Sequence, residues 1–102
     1  MSRVRLYLEV EILDNPDATS IVTLKGRDAW ALLELHRAGA EGCTPLTHVG
    51  PRWSGYVYNL RKAGLLVETV HESHEGQFAG RHARYVLRSR IRLLCEPMQV
   101  AA

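Results

Sequence analysis

The chain has 102 residues, of which 46% are hydrophobic and 24% charged, and its formal net charge is +2. That length suits one domain with one core. No apolar stretch is long enough to span a bilayer. The N-terminus alternates apolar and charged residues instead of carrying the unbroken apolar stretch of a secretory signal, so a cytoplasmic protein is expected.

The charge is unevenly placed. Residues 1–46 hold five basic against seven acidic side chains, and residues 47–102 hold eight against four. A positive C-terminal half hints at a polyanionic partner.

Residues 4–13 alternate, with Val4, Leu6, Leu8, Val10 and Ile12 on one side and Arg5, Tyr7, Glu9 and Glu11 on the other. Period two predicts a strand with one buried face. Asp14-Asn15-Pro16-Asp17 reads as a turn, and the β-branched run from Ser20 to Leu24 as a second strand, completing a hairpin.

Residues 27–38 read as a helix that is apolar almost all round and therefore central to the core. Asp28 suits its first turn and Gly39 its C-terminal end, while Lys25 and Gly26 make weak N-caps. His36 is expected to be partly buried there.

Thr44-Pro45 is a start signal for a short second helix, which Gly50-Pro51 must stop. A third helix follows over residues 51–63. Trp53, Val57 and Leu60 form its buried stripe, one of Tyr56 and Tyr58 packs while the other faces out, and Gly64 ends it. Residues 65–70 predict a strand, 71–81 a glycine-containing loop, and 82–88 a returning strand whose alternation extends toward Leu93. Residues 96–102 are expected to form a flexible tail.

The order β-β-α-α-α-β-β matches an α+β winged helix-turn-helix: a three-helix core and a β-hairpin wing, with extra N-terminal strands. The expected divisions are an N-terminal β-hairpin extension over 1–24, a winged-helix domain over 25–95 and the tail over 96–102. In this arrangement the outer face of the third helix enters the major groove of double-stranded DNA, and the wing over 71–84 lies on the backbone. Arg52 is a candidate contact to phosphate or a guanine edge, and Asn59 a candidate base reader, since Asn pairs bidentately with adenine. Ser54 adds a neutral hydrogen-bonding group, and Gly55 permits close approach. Tyr58, Arg61 and Lys62 are candidate phosphate contacts, as are Arg81, His82 and Arg84 in the wing. Arg84, Arg88, Arg90 and Arg92 have a second possible partner in Glu9 and Glu11 if the terminal strands pair, and this structural role is preferred for Arg90 and Arg92.

Arg52-Trp53-Ser54, Tyr58-Asn59-Leu60-Arg61-Lys62-Ala63-Gly64, Val67-Glu68-Thr69 and Ala83-Arg84-Tyr85-Val86-Leu87 together resemble small bacterial and prophage-borne winged-helix proteins. The resemblance covers roughly residues 26–90. It implies the winged-helix fold and places Arg52, Ser54, Tyr58, Asn59 and Lys62 on a recognition helix. The chain departs from that pattern in its squeezed second helix and in its N-terminal strands, which suggest a dimer interface.

Other chemistries have weaker support. His71, His74 and His82 with a cysteine form no recognisable zinc motif, because zinc needs four convergent ligands. Cys43 and Cys95 lie in no catalytic motif and are read as reduced, buried thiols, with a disulfide depending on their separation in space. Trp30 and Trp53 sit on apolar stripes and belong to the core, not to a stacking platform for single strands. The expectation is a non-enzymatic DNA-binding protein without cofactor, a transcription regulator or phage-type accessory protein, in which two half-sites would call for a homodimer. The alternative is a protein-interaction module on the same fold.

Overall fold

A computed structural model describes residues 4–45, 47–48, 52–74, 80–94 and 98–101. The N-terminal alternation forms strand β1 (Val4–Ile12), and the β-branched run forms β2 (Ser20–Lys25). Between them the Asn15 side chain accepts the Asp17 N–H, a local bond that favours a turn over continued strand. The strands pair antiparallel from Tyr7↔Lys25 to Ile12↔Ser20. Leu8, Val10, Ile12 and Leu24 are buried, as period two requires.

Helix α1 (Gly26–Ala38) follows directly, and Lys25 makes no side-chain cap for it. Ala29, Ala31, Leu32, Leu33 and Leu35 are buried, and Gly39 closes the helix at φ 58°. A 3-10 turn, Gly39–Glu41, comes next and was not anticipated. His36 is exposed, contrary to expectation. The last turn of α1 has run past the core, and residues 36–40 are all exposed or half-buried.

Gly42 has φ 70° and ψ −171°, a region open essentially to glycine alone. A Cβ there would lie 2.3 Å from the Tyr85 carbonyl oxygen. The bare backbone lets Cys43 exchange two 2.8 Å hydrogen bonds with Tyr85. This bridge ties the helical layer to the distal hairpin.

Where a second helix is expected, the described residues form a turn and not a helix. Thr47 N–H donates to Thr44 Oγ1 at 3.0 Å, Thr44 N–H donates to Thr47 Oγ1 at 3.3 Å, and His48 N–H reaches the Thr44 carbonyl at 2.9 Å. These bonds form a reciprocal cap and one turn. Residues 46 and 49–51 lie outside the described residues, as does the rest of that expected helix. Helix α2 (Trp53–Lys62) occupies most of the expected 51–63 and buries Trp53, Tyr56, Val57 and Leu60. Gly64, at φ 105°, ends it.

Strands β3 (Val67–His74) and β4 (Gly80–Leu87) form the wing, paired from Val67↔Leu87 to His74↔Gly80. The loop expected over 71–81 is therefore largely strand. Cross-strand charge pairs carry the ladder outward: Glu72 faces His82 in register and bonds both His82 and Arg84. Residues 75–79 lie outside the described set.

The returning strand does not run on to Leu93. Buried Ser89 breaks it by donating to Asp14 Oδ2 at 2.7 Å and accepting the Leu66 N–H at 2.8 Å. Arg90 N–H donates to Asp14 Oδ1. The chain thus crosses to the other sheet. There β5 (Ile91–Leu93) pairs with Val10–Ile12, and β6 (Met98–Ala101) pairs with Val4–Tyr7. Residues 98–101, expected to fray, are held by backbone hydrogen bonding to β1. Strand β1 is consequently central, with β2 on one side and β5 and β6 on the other. One hydrophobic cluster joins Leu8 and Val10 of this sheet to Leu32, Leu35, Val57 and Leu60 of the helices and Tyr85 of the wing.

Candidate nucleic-acid interface

Helix α2 is seated by aromatic packing. Trp53 stacks on Tyr85 with ring centroids 6.1 Å apart, and it also meets Trp30 at 5.4 Å and Tyr56 at 6.0 Å. Its indole N–H donates to the His48 carbonyl at 2.6 Å. Aromatic pairs of this kind contribute about 0.5–1.5 kcal/mol each beyond area burial. Trp53 is thus a core residue and half-buried Trp30 packs against that core, so α2 has a fixed orientation against α1 and the wing.

With 100° between residues, Gly55, Tyr58 and Lys62 stand opposite the buried stripe, Ser54 and Asn59 flank them, and Arg52 and Arg61 lie at the two borders. Arg52, Ser54, Tyr58, Asn59, Arg61 and Lys62 are all exposed. Tyr58 is 62% exposed, and the Lys62 ammonium rests 5.5 Å from its ring centroid. This cation–π contact leaves the charge at the surface. Tyr56 packs inward and Tyr58 outward, which settles the pair. A Cβ on Gly55 would meet only the Arg52 Cβ, at 3.9 Å, so nothing inside the protein requires glycine there.

Two of the α2 candidates have internal partners. Arg61 donates to the Val67 carbonyl, at 2.7 Å from one guanidinium nitrogen, and to Thr69 Oγ1 at 2.9 Å. It braces the helix against β3 in addition to being exposed. Asn59 donates through Nδ2 to Asp28 Oδ1 and Oδ2 at 3.2 and 3.3 Å. Asp28 was read from sequence only as a helix-dipole residue, and no local spacing links it to a side chain 31 positions away.

The wing candidates are more fully engaged. Arg84 pairs with Glu72 at 2.7 Å and also donates to the Glu41 carbonyl, while His82 lies 2.8 Å from Glu72. These bonds hold the Glu72 carboxyl below the usual carboxylate range, Arg84 contributing first and His82 second, and raise Arg84 in turn. Arg88 pairs with Glu68, and Arg92 with Glu11 opposite it in register. The structural role preferred for Arg92 is what the sheet displays; Arg84 and Arg88 pair within the wing instead. Arg90 contributes its backbone N–H to Asp14. The Arg81 side chain lies outside the described residues.

His71 and His82 occupy opposite faces of the hairpin, since His71 faces Ala83 and His82 faces Glu72, so the two cannot share an ion. Cys43 is buried and free, and burial together with the Glu34 charge pushes its thiol up to about 11. A neutral thiol at physiological pH is a poor nucleophile. Cys95 and the side chain of His74 lie outside the described residues. Among the described residues no helix is long and apolar enough to cross a membrane.

A family model described as a winged helix domain matches residues 21–96, about three quarters of the chain. No curated protein and no solved structure matches it.

Proposed function

The chain belongs to the winged helix domain family, whose fold typically serves as a non-enzymatic DNA-binding module, and we propose that it binds double-stranded DNA through the outer face of α2. The observation that carries this reading is the exposed set Arg52, Ser54, Tyr58 and Lys62 on a helix whose opposite face is locked into the core. The helix enters the major groove, where Arg52 and Asn59 reach base edges and Tyr58 and Lys62 reach phosphates. Gly55 supports the same reading. A glycine in a helix gives up propensity relative to alanine, and close approach of a partner gives that cost a purpose.

In this reading the wing contributes less than its sequence suggests, because Arg84 and His82 already serve Glu72. The protein acts as a cytoplasmic transcription regulator or phage-type accessory factor, and two copies assemble on a two-half-site operator. A second reading, a protein-docking module, is favoured by one observation. Arg84, Arg88 and Arg92 are neutralised internally while Leu66 and Ile21 stay 58% and 57% exposed.

A fluorescence-anisotropy titration of a labelled duplex at two salt concentrations separates the readings. DNA binding gives an affinity that falls steeply with salt, by a slope of about −0.9 per neutralised phosphate. Lys62→Ala should flatten that slope by about one contact, and Arg52→Ala should weaken binding by about 1–3 kcal/mol, both leaving the circular dichroism unchanged. Absence of binding at low salt removes the DNA reading and leaves the docking module.

A further inference from the structure

We propose that Asp28 and Asn59 form a hydrogen-bond-accepting pocket that, with Arg52, selects a G·C base pair through the exocyclic amino group of its cytosine. The inference rests on the DNA reading above and deepens it. Asp28, Arg52, Gly55, Tyr56, Tyr58 and Asn59 line one groove on the α1 side of the α2 outer face. A carboxylate only accepts hydrogen bonds, so Asn59 must turn its amide nitrogen toward Asp28, as the 3.2 and 3.3 Å contacts record. Its amide oxygen, on the other side of the same planar group, is thereby turned away from Asp28. The groove is thus lined by the acceptor-only carboxylate of Asp28, by Asn59 with its amide nitrogen already engaged, and by Arg52.

Major-groove edges differ in the way this groove requires. Guanine presents N7 and O6 as acceptors and cytosine presents an N4 amino donor, whereas adenine's donor lies beside its own N7 and thymine presents O4 and a methyl group. Arg52 matches the guanine side, and Asp28 with Asn59 matches the cytosine amino group. The assignment alters the sequence expectation for Asn59: Asp28 engages the amide nitrogen that bidentate pairing to adenine would use. Asp28 also carries a cost. Its negative charge stands near the phosphates of any duplex that α2 enters, so it weakens binding to sequences that do not supply the amino group.

The test uses the full-length protein and a duplex recovered by selection from a randomised pool, with each base pair then replaced in turn. The wild type should prefer G·C at one position. Replacing that cytosine by 2-pyrimidinone, which lacks the amino group, should weaken binding about tenfold. Asp28→Ala should abolish that preference and strengthen binding to a generic duplex roughly two- to threefold at low salt. A merely structural role for Asp28 leaves the G·C preference unchanged, whereas the gain on a generic duplex follows from the lost charge in either case. Where Asp28→Ala does not fold, Asp28→Asn is measured instead. It should reduce the preference several-fold, because bonds to a charged acceptor are roughly twice as strong as neutral ones. Salt-dependent binding with no G·C preference, or with a preference unchanged in the variant, overturns the inference and leaves the DNA reading intact. No binding by the wild type overturns both.

Discussion

On the wing, Arg84 and Arg88 each find a carboxylate on the neighbouring strand, Glu72 and Glu68. On α2, Arg52 and Lys62 form no ion pair among the described residues, and Lys62 rests only on the face of Tyr58. The two regions share the positive half of the sequence, yet among their described side chains only those of α2 leave a lysine or arginine without an acidic partner. Arg84 faces Val70 in register, so Glu72 is its diagonal neighbour; such neighbours lie about 7–8 Å apart, within reach of a long side chain, and a basic residue in a hairpin readily acquires an acidic partner this way. The neighbours of a helical side chain lie three and four residues away, and α2 holds no acidic residue to fill those positions. Counting charge along a chain therefore overstates what the wing can offer and understates the concentration of free charge on α2.

The largest expected effect concerns the attachment of one region to the other. Gly42 lets Cys43 pair with Tyr85, and a Cβ there would press on the Tyr85 carbonyl, backbone that cannot swing aside. Gly42→Ala should destabilise the protein by about 3 kcal/mol or more, combining a glycine-only conformation with a backbone clash. Urea denaturation reads it. A loss below about 1 kcal/mol, within the range of an ordinary substitution, would mean the wing is not held by this seam, and its comparison with α2 would concern two loosely joined parts.

The comparison between regions also explains what the sequence made legible. Period-two alternation identified β1 and its buried face, and the spacing of Trp53, Val57 and Leu60 identified the stripe of α2, because both signals are local. The length of the wing was hidden, since Gly76 and Gly80 read as loop while the ladder depends on Glu72 meeting His82 and Arg84 across the hairpin. The tail was hidden for the same reason: Met98–Ala101 becomes strand only because β1 offers it an edge. At the interface, residue types on α2 were legible, but their availability was not. Arg61 is drawn to the Val67 carbonyl and Asn59 to Asp28 by contacts that exist only after folding.

A mid-sized effect sharpens the α2 side. Gly55 sits in the first turn of α2, where a Cβ would make only an ordinary contact with the Arg52 Cβ, so Gly55→Ala should stabilise the protein by about 0.5 kcal/mol, visible as a higher urea midpoint with an unchanged slope. If DNA approaches that face closely, the same variant should bind the duplex more weakly despite being more stable. Greater stability with unchanged binding would place the contact elsewhere on the helix.

The smallest effect probes the compensation on the wing. Arg84, and after it His82, hold the folded-state Glu72 carboxyl below its ordinary value. A depressed carboxyl binds fewer protons in the folded state than in the unfolded one. Its contribution is therefore fully present above the unfolded carboxylate pKa, near 4.3, and is lost as pH falls through the lower folded value. Glu72→Gln should remove that part of the acid limb, so the stabilities of variant and wild type converge below about pH 4 and separate above it. The separation should be small, because the pair lies at the surface and is screened. The substitution also removes the carboxylate that pairs with Arg84, which keeps its bond to the Glu41 carbonyl. If the wing is weak on DNA only because Glu72 occupies its cations, Glu72→Gln should tighten duplex binding at low salt and steepen its salt dependence by up to one contact. If binding does not change, the wing's cations face away from the duplex, and α2 carries the interface alone.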